Sequence, residues 1–334
     1  MKKKIKIDLI DFWFPNTSEG KRQSSVYMFL ERLLAPDYEF EISEKPDFLI
    51  YSVYSSNHLH PCYDQCVKIF LTQEDRRPDF SECDYAFTFD YLQHDRHFRL
   101  PNYRTEDWWY SRIKEPQDPK AILAQKTKFC CFIVSNQNAA FRINFFQTLS
   151  GYKRVDSAGR ALNNLGYNIP FGNAAKLEFM RSYKFCIAFE NTEQPGYTTE
   201  KLVHAFAANT VPIYWGNPAV AQDFNTKAFI NYFDHGSIEA SIREVIRVDQ
   251  DPKLYAQYIS ESPLIGGKDL PTLTDHAIAT KFREIFEQGR ICRNIYTRLK
   301  TKFYHRGMRF HQTAAYLANR IRSRLMAVPT RLRR

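Results

Sequence analysis

The residues best equipped for chemistry are concentrated between Phe185 and Pro218, in FCIAFENTEQPGYTTEKLVHAFAANTVPIYWGNP. An apolar run ends at Phe189, and the polar Glu190, Asn191 and Thr192 follow it directly. Pro195-Gly196 reads as a turn. Thr198 or Thr199 then caps a helix whose first turn carries Glu200 and Lys201. Such a helix start offers unbonded N–H groups and the positive end of a dipole, which suits a phosphate. Lys201 adds a formal charge, and the Glu200 carboxylate can accept two hydrogen bonds from a ribose diol. The same pair also suits an exposed helix start, because Glu-Lys neighbours are common on helix surfaces.

Two other segments carry candidate groups. In Phe132–Phe146 (FIVSNQNAAFRINFF), Arg142 lies about one turn past a strand-end loop, within reach of a diphosphate that its guanidinium could grip bidentately. In Phe70–Pro78 (FLTQEDRRP), Glu74 follows another apolar run. It could serve as a base, or Glu74 and Asp75 could be loop acids paired with Arg76 and Arg77. Metal chemistry has weaker support. Asp249-Gln250-Asp251 precedes Pro252 and reads as a helix cap with proline at the first helical position. His94 and His97 read as a polar loop, and no glycine-rich dinucleotide loop or P-loop occurs.

These groups need a frame. Lys4–Ile10, Asp47–Val53, Val67–Thr72 and Tyr85–Asp90 read as strands, with helical spacing of Val26, Phe29, Leu30, Leu33 and Leu34 between the first two. A polar stretch, Lys114–Lys128, reads as a linker. A second alternation follows: strands at Lys128–Val134, Lys184–Phe189 and Thr210–Trp215, and helices at Ala140–Leu149, Ala174–Tyr183 and Thr199–Ala208. Further helices are expected at Ile238–Ile246, Pro252–Ser260 and His276–Phe286. Two successive α/β domains with parallel sheets imply a ligand in the cleft between them.

The 334 residues carry a net charge of +10, unevenly placed. From Gln288 to Arg334 there are 13 Lys or Arg and no acid, so residues 1–287, with 34 basic and 37 acidic residues, are at −3. A near-neutral body argues against a nucleic-acid protein. Within Ala314–Val328, Leu317, Ile321, Leu325 and Val328 share one helical stripe flanked by Arg320, Arg322 and Arg324. A basic amphipathic helix of this kind suits an anionic membrane surface. The seven cysteines are odd in number and irregularly spaced, and Cys130, Cys131 and Cys186 fall in apolar runs, so buried free thiols are expected. No apolar run is long enough to cross a bilayer and the first residues read as a strand, so the expected location is cytoplasmic, peripheral to the inner membrane.

The string Phe189, Glu190, Asn191, then Tyr197, Glu200, Lys201 resembles the signature of the α-1,3-fucosyltransferases, glycosyltransferase family 10. Ile213-Tyr214-Trp215-Gly216 resembles the bacterial branch, and the segments around Arg142 and Glu74 are similar to the family's donor-domain opening and acceptor-facing glutamate. Similarity extends over most of residues 4–275. The resemblance implies a GT-B fold: an acceptor-binding Rossmann-like domain (1–125), a GDP-fucose-binding one (126–275) and a basic helical tail (276–334). It implies inverting transfer of L-fucose from GDP-β-L-fucose to the 3-hydroxyl of GlcNAc or glucose in an N-acetyllactosamine-type acceptor, as in Lewis-type surface glycans. Glu74 would be the base, with Arg142, Asn191, Tyr197, Glu200 and Lys201 on the donor and Glu190 in support. No cofactor is required, and a divalent metal would at most stimulate, with no site assigned. The alternatives are another nucleotide sugar or an α-1,4 linkage.

Overall fold

The computed structural model describes residues 2–293, apart from 116 and 171. The basic amphipathic helix expected within 314–328 lies outside the described residues.

Two parallel sheets organise the described chain. The first contains β1 (Lys3–Ile10), β2 (Tyr38–Ile42), β3 (Phe48–Tyr51), β4 (Val67–Leu71), β5 (Tyr85–Thr88) and β6 (His97–Arg99), in the order β2-β1-β3-β4-β5-β6. The second contains β7 (Lys128–Phe132), β8 (Val155–Ser157), β9 (Tyr183–Ile187), β10 (Val211–Tyr214) and β11 (Ile230–Asn231), in the order β11-β10-β9-β7-β8. Every pairing is parallel. The central strands β3, β4 and β10 are buried along their whole length, as sheets covered on both faces require. In each sheet the winding reverses once, between β1 and β3 and between β7 and β9. Connections leave in opposite directions at such points, opening a crevice at the strands' carboxyl ends.

The first core packs Ile5, Ile7, Leu9, Ile50 and Ile69 against the helix Ser25–Leu34, whose Ser24 cap accepts the Tyr27 N–H at 3.2 Å. It also takes in a helix from the far end of the described chain. Asp275–Gln288 lays Ile278, Phe282, Ile285 and Phe286 on the first sheet, with the Phe282 and Phe87 rings stacked 4.1 Å apart. The second core gathers Phe132, Phe145, Phe185, Ile187, Phe189 and Ile213. Cys130, Cys131 and Cys186 are buried and unpaired within the second domain.

The local readings change in two ways. The polar stretch expected to be a linker contains the helix Pro119–Gln125, capped by Asp118 and anchored by the buried Ile122. One apolar anchor beside a proline start left little periodic signal. β2 and the three-residue β6 and β8 went unread; β2 is an edge strand whose Tyr-Glu-Phe-Glu alternation is real but short.

Candidate active site

Arg142 comes from the first turn of the helix Ala140–Ser150 and is fully buried. Its guanidinium spans the winding reversal of the second sheet. One Nη donates to the Phe189 carbonyl (3.2 Å) and to Asn191 Oδ1 (3.1 Å), beyond β9, and the other to the Asn136 carbonyl (3.0 Å), beyond β7. These acceptors are all neutral, and Nε has no hydrogen-bond partner. Burial therefore pushes the Arg142 pKa down, and the more distant Glu190 and Glu200 only partly offset it. A buried cation without a bonded counter-charge is costly and favours an anionic ligand.

Glu190 is also fully buried, but it is saturated. It accepts the Thr199 N–H (2.7 Å), the Thr199 hydroxyl (2.6 Å) and Lys201 Nζ (3.0 Å). Thr199 does stand at the cap position of the helix Glu200–Ala207, but its hydroxyl points to Glu190 instead of capping. The buried carboxylate competes for it, and the helix's first N–H groups keep no side-chain cap. Burial pushes the Lys201 pKa down, yet Glu190 and Glu200 outweigh it and keep the ammonium protonated. Lys201 is thus part of a buried ion pair, not a surface decoration. Glu200 sits 3.5 Å from Lys201. Burial would raise its pKa, but Lys201, His204 and Lys176 hold it well below the usual carboxylate range.

The loop between Glu190 and Thr199 is fastened to the end of β10. Asn217 accepts the Gly196 N–H at 2.7 Å and donates to Thr198 at 3.1 Å. Glycine is required twice. A Cβ on Gly216 (φ +151°) would meet Glu190 Cγ at 2.3 Å, and one on Gly196 (φ +87°) would meet the Phe89 carbonyl at 2.5 Å. The second contact brings the loop against the first domain, where the Tyr197 and Phe89 rings meet edge to face at 5.1 Å.

Glu74 stands beyond the carboxyl end of β4 on that opposing domain. Tyr54 donates its hydroxyl to Glu74 Oε1 at 2.5 Å. The alternative pairing of the loop acids with Arg76 and Arg77 does not form: Arg77 pairs with Asp90 at 3.0 Å, and Asp75 accepts from Thr192 of the opposite loop at 2.8 Å. Burial raises the Tyr197 phenol, and Glu190, Glu74, Glu200 and Asp75 add to the rise, so four carboxylates from two domains converge on one ring. The structure therefore brings Glu74, Arg142, Glu190, Asn191, Tyr197, Glu200 and Lys201 to one cleft. The domains are joined beside it by a bidentate Arg99–Asp223 pair (3.0 and 2.6 Å).

Several site residues escaped sequence reading. Lys176 donates to His204 Nδ1 at 2.7 Å, and Glu106 lies 3.9 Å from His204 Nε2. Burial and Glu200 push Glu106 up to about 7, while Lys176 pulls the other way. These three residues come from three separated segments, so only the fold assembles them. Tyr54 sits in a loop with no motif.

Other candidates resolve as structure. Asp251 caps the helix Pro252–Ser260, accepting the Lys253 (2.9 Å) and Leu254 (3.1 Å) N–H groups, and Asp249 pairs with Lys153 and Lys184. His97 bonds Thr88 and the Leu92 carbonyl, and His94 stacks on Phe80. A cavity of about 280 Å³ lined by Thr210 and Val211 lies at the amino end of β10, the end opposite to where parallel sheets bind ligands.

Comparison with known proteins agrees with this geometry. The description "Glycosyltransferase family 10 (fucosyltransferase) C-term" matches residues 123–303, and "Alpha-(1,3)-fucosyltransferase FucT N-terminal domain" matches residues 7–105. The chain is 29% identical over 292 residues to the alpha-(1,3)-fucosyltransferase FucT of Helicobacter pylori, across 78% of this chain, and spans 60% of that relative's length. A solved alpha1,3-fucosyltransferase superposes with a TM-score of 0.76 at 28% identity, covering 88% of this chain and 93% of the other. A structure of alpha1,3-fucosyltransferase with GDP-fucose gives 0.72 at 26% identity, covering 88% and 94%.

Proposed function

The chain belongs to glycosyltransferase family 10, the fucosyltransferases, and from that premise we propose that it is an inverting α-1,3-fucosyltransferase using GDP-β-L-fucose. The acceptor in this reading is the 3-hydroxyl of GlcNAc, or of glucose, in a lactosamine-type glycan. The carrying observation is Arg142, a fully buried guanidinium at a winding reversal with only neutral acceptors and an unpartnered Nε. A diphosphate supplies the missing counter-charge.

In the proposed reaction the acceptor oxygen attacks the anomeric carbon from the face opposite the leaving group. Glu74 takes the hydroxyl proton as the new C–O bond forms. The bond to the β-phosphate oxygen breaks, its electron pair stays on phosphate, and GDP departs. Arg142, Lys201 and the uncapped N–H groups at Glu200 meet that growing charge without reorganising, because packing already fixes them. Glu200, held ionised, accepts the ribose hydroxyls, and Asn191 and Tyr197 line the nucleoside. Glu190 keeps Lys201 and the helix start in place. The cationic residues supply the charge a metal would otherwise bring, so no cofactor is invoked.

The test incubates the protein with GDP-fucose and type 1 and type 2 lactosamine acceptors and assigns the product by NMR. The expected product carries α-1,3-linked fucose on type 2 chains. An α-1,4 product on type 1 chains would change the linkage, and turnover only with another nucleotide sugar would discard the donor. The basic residues from Arg290 onward suit attachment to an anionic membrane surface carrying the glycan acceptor, as in Lewis-type antigen or O-antigen synthesis. Sedimentation with anionic vesicles, lost on removal of residues 304–334, checks that part.

A further inference from the structure

The first sheet has its own winding reversal, between β1 and β3, and the residues beyond those two strands are tied together. Asp11, directly after β1, adopts a left-handed backbone (φ +60°), a conformation uncommon for a residue with a side chain. Its carboxylate accepts the N–H groups of Asn57 and His58 (both 3.0 Å), His58 Nδ1 (2.6 Å) and the Ser55 hydroxyl. Its carbonyl accepts the Tyr54 N–H at 2.9 Å. The loop after β3 is thereby pinned at Tyr54 and just beyond it, and the His58 ring is further held by stacking on Tyr51 at 3.9 Å. Backbone strain kept by such a dense set of bonds marks places where geometry matters.

What this loop presents is one phenol. Tyr54 is half exposed, and its hydroxyl meets Glu74 Oε1 at 2.5 Å. Glu74 is held on its main-chain side as well, its N–H bonding Thr72 Oγ1 at 3.1 Å, and Thr72 in turn accepts from Ser52 at 3.2 Å. The phenol occupies one carboxylate oxygen and leaves Oε2 for a substrate proton. Burial, and then Glu74, raise the Tyr54 pKa, so the hydroxyl stays a donor in neutral solution.

We propose that Tyr54 is a positioning residue for the transfer, its hydroxyl orienting the Glu74 carboxylate towards the acceptor hydroxyl from a loop that Asp11 holds rigid. This rests on Glu74 acting as the base. Tyr54 belongs to the domain opposite Arg142 and Lys201, so its removal falls on the chemical step and leaves donor binding alone. Losing one hydrogen bond to a charged group corresponds to roughly a tenfold drop in kcat.

The experiment measures kcat and both KM values for Tyr54→Phe, which keeps the ring, beside Glu74→Gln and the unaltered enzyme. The expected result is a kcat about tenfold lower for Tyr54→Phe, with the KM for GDP-fucose unchanged and thermal stability retained. An unaltered kcat in Tyr54→Phe, with Glu74→Gln inactive, overturns the positioning role while leaving the base in place. Near-normal turnover by Glu74→Gln overturns the base and the positioning role together.

Discussion

The two winding reversals face each other across one cleft but are built differently. Behind β7 and β9 the charged groups are buried: Arg142 and Glu190 have no exposed surface, and Lys201 pairs with Glu190. Behind β1 and β3 Asp11 and His58 are buried, but Trp13 is 65% and Tyr54 50% exposed, and the Glu74 carboxylate is held by one phenol. The enclosed half suits a ligand of fixed chemistry whose diphosphate must be met by charges already in place. The open half suits a partner that varies, where a carboxylate is aimed without being enclosed. In the proposed reaction, affinity for donor and competence for transfer therefore belong to different domains.

The largest expected effect breaks the open half. Glu74→Gln should lower turnover by about 10²–10⁴-fold, the usual worth of a positioned base. Steady-state kinetics with saturating acceptor reads this directly, and a loss under fivefold would move the base elsewhere.

On the enclosed half the cost falls on folding. Glu190→Ala removes one partner of a buried ion pair and three accepted hydrogen bonds. It should destabilise the protein by about 3–5 kcal/mol, measured by chemical denaturation. A change below about 1 kcal/mol would mean that the pair contributes little, as at an exposed surface.

The smallest effect lies between the halves. Glu106 is held near 7 against an ordinary value of 4.5, so the folded protein keeps a proton that the unfolded chain releases. Folding takes up that proton in the window between those values, and stability falls as pH rises through it. Glu106→Gln cannot ionise and should lose this slope, becoming more stable than the unaltered protein at pH 8 by on the order of 2 kcal/mol. Paired melts at pH 5 and pH 8 check it. Parallel melting curves would show that the Glu106 carboxylate is solvated in the folded state.

The enclosed half was far more legible in sequence than the open one. Its residues come from two short segments, 136–142 and 189–201, where strand ends and a helix start bring Arg142, Glu190, Asn191, Glu200 and Lys201 into view as candidates, and the resemblance to family 10 selects them and adds Tyr197. Even there the sequence hid burial: the Thr199 hydroxyl reads as a helix cap until Glu190 claims it. Main strands and helices were readable because buried parallel strands are continuous apolar runs. The Asp275–Gln288 helix was visible as a helix, but nothing local revealed that it returns to the first sheet. Tyr54 was invisible because its partner lies twenty residues away on another strand end. Glu106 reaches the His204–Lys176 pair only through the contact between domains.

The division of labour between the halves is tested most directly by titrating GDP into two variants by calorimetry. Arg142→Lys keeps the charge but loses the planar fork, and GDP should bind it about tenfold more weakly or worse. Glu74→Gln should bind GDP within twofold of the unaltered enzyme. Equal losses in both variants, or a loss confined to Glu74→Gln, would contradict the assignment of donor affinity to the enclosed half.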